Sequence, residues 1–285
     1  SAYASVAPAK ASTSELDATK DLRFNGDGGL ITLSTPINMG AGKLQFSSDY
    51  TVTSASGVNA TWAGGGVEID AGKKVVWQVN GLASDALHKI GAGTLHVKAE
   101  GVNAGSLNVG DGSVILDQQA DTSGNKQAFS AVTLVSGRPT VVLNDEHQVA
   151  TDQIFFGYRG GRLDLNGNAL TFKKINHTDG GAKLVNHSDT TATLNITGST
   201  AADVPFYTFS SRTPEGTPGN IYVYKNPYTK ETEYFQLNTA SYWYFPTDKS
   251  STKTWTYLGT DANEAINHRL TQLNVQTFRD RKSTR

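Results

Sequence analysis

Cysteine is absent from all 285 residues, which removes disulfides, thiolate catalysis and cysteine-based metal sites together. A chain without crosslinks has to rely on backbone pairing and stacked apolar side chains, and it suits transit across a membrane in the unfolded state. Methionine occurs once, as Met39, and proline only eight times. No apolar run approaches the roughly 18 residues that a membrane helix needs, and the first residues show neither a basic n-region nor an apolar h-region. A chain that begins at Ser1 without methionine is expected to be a processed or excised segment. Excess charge is missing too: 25 Lys and Arg against 26 Asp and Glu leave a net charge of −1. That gives no electrostatic footprint for nucleic acid or an anionic bilayer. Polyanion binding is disfavoured, and no nucleic-acid partner is expected.

What the chain does have is glycine, 29 residues of it, placed between short apolar runs at nearly constant spacing. Gly91-Ala92-Gly93-Thr94-Leu95-His96-Val97 is echoed by Gly110-Asp111-Gly112-Ser113-Val114-Ile115-Leu116, so that Leu95 and Val114 stand nineteen positions apart. Gly160-Gly161-Arg162-Leu163-Asp164-Leu165 is echoed by Gly180-Gly181-Ala182-Lys183-Leu184-Val185, with Leu163 and Leu184 twenty-one apart. A period near twenty, made of four-residue strands and turns, predicts a solenoid coil better than a sandwich, whose strands return about every 8 to 12 residues. Alternation should then send Leu163 and Leu165 into the core and Arg162 and Asp164 outward. Leu107-Asn108-Val109 and Thr193-Leu194-Asn195-Ile196 carry the same alternation. Asn166-Gly167 predicts a tight turn.

Residues 1–19, rich in Ala, Ser, Thr and Lys, read as a linker, and 20–198 as the β-helix rungs. Beyond Gly198 aromatic residues crowd in, and 199–260 reads as an aromatic-rich insertion with a further rung. Asn220–Tyr224 and Glu233–Leu237 flank Asn226-Pro227-Tyr228-Thr229-Lys230, the pattern of a hairpin. Asp261 caps a predicted helix in the tail 261–285, with Ile266, Leu270 and Leu273 on one face. Tyr222, Tyr224, Tyr242, Trp243 and Trp255 are candidate contacts for a protein or glycan partner, because Tyr and Trp combine ring faces with polar tips. The competing reading, which is favoured, is that these rings fill a small core of their own.

Other candidates for chemistry are weaker. Ser113 could be drawn together with His88, His96 or His147 and with Asp111 or Asp145, but six histidines in 285 residues make such trios easy to assemble. Asn176-His177 and Asn186-His187 lie ten residues apart, without the spacing of a finger or helical metal site, and turn capping explains them better. The run Asp164-Leu165-Asn166-Gly167-Asn168 starts like a calcium loop, yet Ala169 and Ile175 stand where that loop needs Gly and Glu. No catalytic, cofactor-binding or metal-ligating residue is assigned.

Four stretches, Asp85–Leu95, Gly110–Leu116, Phe156–Gly167 and Leu184–His187, resemble in order the passenger of serine protease autotransporters, the immunoglobulin A1 protease-like family. The resemblance covers roughly Glu15 to Tyr257. It implies an all-β chain, a right-handed parallel β-helix with an aromatic-rich hairpin insertion and a short C-terminal helix. It also implies transit through periplasm and outer membrane, by way of a translocator barrel, to the surface or exterior of a Gram-negative cell. The family's Gly-Asp-Ser-Gly nucleophile motif has no counterpart here; Gly110-Asp111-Gly112-Ser113 has those letters in another order. The chain is thus expected to be a non-catalytic, monomeric stalk segment without cofactors. Its expected partners are the protease domain of the same passenger, the barrel during secretion, and a host protein or glycan if the aromatic region binds one.

Overall fold

Short strands with inward apolar side chains and glycine corners bury nothing alone, so they must stack. The computed structural model describes residues 20–208, 216–240, 249–250 and 252–275, and they fall in two units, Ser1–Ile196 and Thr197–Arg285. The proposed linker 1–19 and the last ten residues of the tail lie outside the described residues.

The first unit is a parallel β-helix. Its first three turns carry three strands each: β1 (Leu22–Phe24), β2 (Gly29–Leu33) and β3 (Ile37–Asn38); β4 (Leu44–Phe46), β5 (Tyr50–Ser54) and β6 (Thr61–Ala63); β7 (Gly66–Ile69), β8 (Lys74–Gln78) and β9 (Asn80–Gly81). The next three carry two: β10 (Ala86–Ile90) and β11 (Thr94–Val97); β12 (Ser106–Val109) and β13 (Ser113–Leu116); β14 (Val132–Leu134) and β15 (Thr140–Leu143). The last two again have three: β16 (Ile154–Phe156), β17 (Gly161–Asp164) and β18 (Ala169–Phe172); β19 (Asn176–His177), β20 (Ala182–Val185) and β21 (Thr193–Ile196). First strands form one eight-stranded sheet and second strands another; β3, β6 and β9 make a third side, to which β18 and β21 add a separate pair. In turns four to six the third side is reduced to the bridges Glu100–Gln119 and Val102–Gln127.

The register explains the twenty-residue period. Leu95 lies opposite Val75 on one side and Val114 on the other, and Val141, Leu163 and Leu184 continue the row. A second row runs Ile31, Val52, Trp77, Val97, Leu116 and Leu143. In these two rows apolar side chains meet apolar ones from turn to turn, and one core holds Phe46, Trp77, Leu95, Leu116, Leu134 and Leu163. Corners are held by backbone: Gly112 has φ +70°, and a Cβ there would collide with the carbonyl oxygens of Gly91 and Gly93 in the turn before. Asn166 (φ 49°) and Gly167 (φ +79°) make the expected left-handed turn after β17.

Two expectations from alternation need correction. Asp164 keeps an outward register, opposite Val142 and Val185, yet it is 4% exposed. The chain folds back over it, and its carboxylate accepts the backbone N–H groups of Asn166 and His187 as well as the His187 imidazole. Thr193–Ile196 alternates in sequence but is exposed at all four positions, because β21 is the outer strand of a two-stranded sheet.

The second unit contains β22 (Phe206–Thr208), β23 (Ile221–Lys225), β24 (Thr232–Leu237), β25 (Trp255–Tyr257) and the helix α1 (Ala262–Leu273). β22 joins β23 in parallel, while β23, β24 and β25 are antiparallel. The β23–β24 hairpin is closed by Asn226, whose Oδ1 accepts the N–H groups of Tyr228 and Thr229. Asp261 caps α1 by accepting from Asn263 and Glu264 N–H, and Ile266, Leu270 and Leu273 pack against Val204, Ile221 and Ala265.

Removing one side chain from a continuous row leaves a void that two neighbouring turns share. Leu116→Ala should lower the unfolding free energy by about 2–5 kcal/mol, whereas Ile115→Ala, on the outer face, should cost less than about 1 kcal/mol. Urea melts of the two variants check this, and equal losses would contradict the assigned faces.

Candidate functional site

Three polar arrangements in the first unit carry chemistry that its apolar rows do not. The first is at the corner between the two large sheets. In the row Leu44, Val67, Lys89, Val109, Leu134, Phe156, one inward position is a lysine with no solvent exposure. Its Nζ donates to the carbonyl oxygens of Ile90, Gly91 and Asp111 at 3.1, 2.8 and 3.0 Å. An ammonium has three N–H donors, and three corner carbonyls accept them. Burial pushes its pKa down to about 8, against the opposing pull of the nearby Asp111 carboxylate. Sequence reading missed this residue, although the parity of Leu87 and Lys89 on one strand was the available signal.

The second arrangement is on the outer face of β11 and β13. His96 Nε2 lies 2.8 Å from Asp117 Oδ2, and Asp117 Oδ1 accepts from Asn144 and Gln119. His96 Nδ1 is buried with no hydrogen-bond partner among the described residues, so this imidazole is not bonded to the Ser113 hydroxyl. Ser113 stands opposite Thr94 and Thr140, and His88 opposite Asn108 and Gly66. Asp111 Oδ1 accepts Gly112 N–H, and Asp145 binds Lys126, Gln148 and the N–H of His147. Hydrogen bonds from these partners hold the Asp145 pKa below the ordinary carboxylate value, although burial opposes them as the largest single influence. Of the residues that could be drawn as a catalytic trio, His147 lies 4.0 Å from Asp145, while His96 is held by Asp117 and Asp111 by Gly112 N–H.

The third is the Asp164–His187 pair at 2.8 Å. Asn176 Nδ2 donates to Asp152 and Ile154 carbonyls, and Asn186 Oδ1 accepts Gly167 and Ser188 N–H. Both Asn-His pairs therefore tie one turn to another. Among the described residues no group of three or more His, Cys, Asp or Glu side chains is arranged to hold a metal ion.

In the second unit, Tyr222 and Trp255 are each 3% exposed. Their rings meet edge to face at 5.3 Å, with Phe235 and Tyr257 completing the cluster. Tyr224 is half-buried against the same cluster; Tyr242 and Trp243 lie outside the described residues. Among the described residues of this unit, Tyr228 in the hairpin loop is 91% exposed and Tyr207 on β22 is 41% exposed. On β24 Glu233 is buried, bonded to Lys249 at 2.6 Å and to Asn226, a third buried charge, after Lys89 and Asp164, that its strand pattern did not announce.

The geometry is that of a stretch of stacked coils, and known proteins place it. No protein-family model matches the chain. It is 49% identical over 257 residues to the serine protease SepA autotransporter of Shigella flexneri, covering 88% of this chain and 18% of that protein. It is 42% identical over 269 residues to an immunoglobulin A1 protease autotransporter of Haemophilus influenzae, covering 90% and 16%. The chain is a relative of the serine protease autotransporter passengers. Among solved structures, the Haemophilus influenzae Hap adhesin matches with a TM-score of 0.60 and 52% identity, over 62% of this chain and 19% of that one. The chain thus spans less than a fifth of the length of these autotransporter relatives, and its β-helix agrees with the fold expected of a passenger.

Lys89→Met would keep the bulk of the side chain and leave three corner carbonyls without a donor, at a cost of about 2–4 kcal/mol. The pH dependence has a definite sign. With a folded pKa near 8 below the unfolded value, the unfolded chain holds the proton that the native chain releases. Stability of the parent relative to Lys89→Met should therefore rise between about pH 8 and 10.5. Chemical denaturation of both proteins across that range checks the slope.

Proposed function

We propose that this chain is a non-catalytic stalk segment of a serine protease autotransporter passenger, one that presents a protease domain and supports folding and export of the passenger. The observation that carries the reading is the in-register, largely apolar stack of eight turns, in which each turn is buried by its neighbours. A turn that reaches the outside of the cell finds a formed edge to pair with, so folding can proceed turn by turn and oppose backsliding. On this reading the partners are the protease domain and the translocator barrel of the same polypeptide, and the location is the surface or exterior of a Gram-negative cell. The engagement of His96 by Asp117, and of Asp111 and Asp145 by backbone N–H groups, supports the assignment of no catalytic role.

A second reading, an adhesin or glycan-binding segment, is favoured by one observation, the match to a protein whose name is adhesin. The burial of Tyr222 and Trp255 leaves them little surface to offer, so this reading ranks second. If glycans and mucins change neither tryptophan fluorescence nor the melting temperature, it is set aside.

Within the full precursor, Leu163→Asp should abolish or strongly reduce the secreted passenger, while Arg162→Asp should leave most of it; immunoblots of culture supernatant read both. Equal secretion would sink the stacking account. Treatment of the purified chain with a fluorophosphonate probe should label no serine, and heat-sensitive labelling at Ser113 would overturn the non-catalytic reading.

A further inference from the structure

The net charge of the chain is near zero, but its cations are not spread evenly over the β-helix. Where the two large sheets meet, turns six to eight carry Arg138, Arg159, Arg162 and Lys183. Arg162 lies opposite Lys183 in the β17–β20 register, and its Nη1 donates to Arg138 O at 3.4 Å. The corners bearing Arg138 and Arg159 are stacked in contact, for a Cβ on Gly137 would lie 2.9 Å from Arg159 O. Arg138 is 76% exposed and reaches Asp111 only at 3.5 Å. Among the described residues no acidic side chain comes within ion-pair distance of Arg159, Arg162 or Lys183. Asp179 is the nearby acid: its two oxygens accept the N–H groups of Arg159 and Gly181 at 2.8 Å each, and its charge attracts the Arg159 guanidinium, though not at ion-pair distance. Beside the cations stand two exposed rings, Tyr158 at 74% and Phe155 at 38%.

We propose that this corner binds a linear sulfated polysaccharide. Parallel strands repeat about every 4.8 Å in the hydrogen-bonding direction, so the corner offers a rigid ladder of cations along the stack, complementary to a chain that carries an anion on successive sugars. Guanidinium forks pair with sulfate through two parallel hydrogen bonds, and the exposed rings give the apolar faces of sugars a surface to lie on. A peptide added as an extra strand would need free backbone donors, but those of the corner are used: Gly160 N–H goes to Gly157 O and Arg162 N–H to Pro139 O. A nucleic acid would draw on charge beyond this corner, and the chain as a whole carries no net positive charge. The proposal is independent of the stalk reading, since a catalytic or a non-catalytic segment could carry the same corner.

The test is surface plasmon resonance of the whole chain over immobilised heparin at low and moderate salt. Three proteins are compared: the parent, Arg159→Glu/Lys183→Glu, and a matched reversal, Lys20→Glu/Lys73→Glu, in turns one and three. Circular dichroism melts confirm that each is folded. The expected result is saturable binding by the parent, weakening with salt. Loss of two charge-assisted contacts should weaken it about ten-fold or more in Arg159→Glu/Lys183→Glu, with a much smaller change in the matched reversal and loss of signal on desulfated heparin. No binding by the parent, equal effects of the two reversals, or equally tight binding of single-stranded DNA would each overturn the proposal.

Discussion

Every feature of the first unit depends on the parallel, in-register contact between one turn and the next. A single turn has two or three strands of a few residues each, too little to close a core around itself. Stacked, its inward side chains become part of a continuous row, such as Val75, Leu95, Val114, Val141 and Leu163, all without solvent exposure. Stability is then shared between neighbours and approximates a sum of interfaces along one axis. The same contact sets the corners. A turn can sit directly on the previous one only if its corner backbone passes close, as at Gly112 above Gly91 and Gly93.

Close stacking also creates a polar problem that the apolar rows do not solve. Corner carbonyls that point inward need donors, and water is excluded. Lys89 meets three of them, Asn103 accepts from Gly81 and Gly105, and Gln118 with Gln148 links the chain across thirty positions. Each is a buried polar side chain with at least one partner on a neighbouring turn. Such groups penalise a slipped register more sharply than leucine on leucine, because a slip strands both partners.

The β-helix was legible in the sequence because its determinants are local and periodic: Gly-Asp-Gly before Ser-Val-Ile-Leu recurs where Gly-Ala-Gly before Thr-Leu-His-Val occurred one turn earlier. The β23–β24 hairpin and α1 were legible for the same reason, through Asn226-Pro227 and Asp261. What escaped depends on closure in three dimensions. Asp164 obeys the alternation yet is covered, since burial there is decided by the path of the chain at Asn166 and His187. Lys89 reads as an exposed charge until the corner that holds it is built. Charge is likewise decided in three dimensions: a net value of −1 does not reveal that Arg138, Arg159, Arg162 and Lys183, up to forty-five positions apart in sequence, lie on successive turns in space.

The direction of the hydrogen bonds has a mechanical consequence. Strands run across the axis of the β-helix and their inter-strand bonds run along it, while the polypeptide enters at one end of the stack and leaves at the other. Tension on the two ends therefore does not shear all eight turns together. It loads the outermost strand alone, and once that turn peels away the force falls on the next, through bonds of the same kind. The first unit should yield as a zipper, in small steps at modest force, and shorten again by the reverse sequence when the load is released.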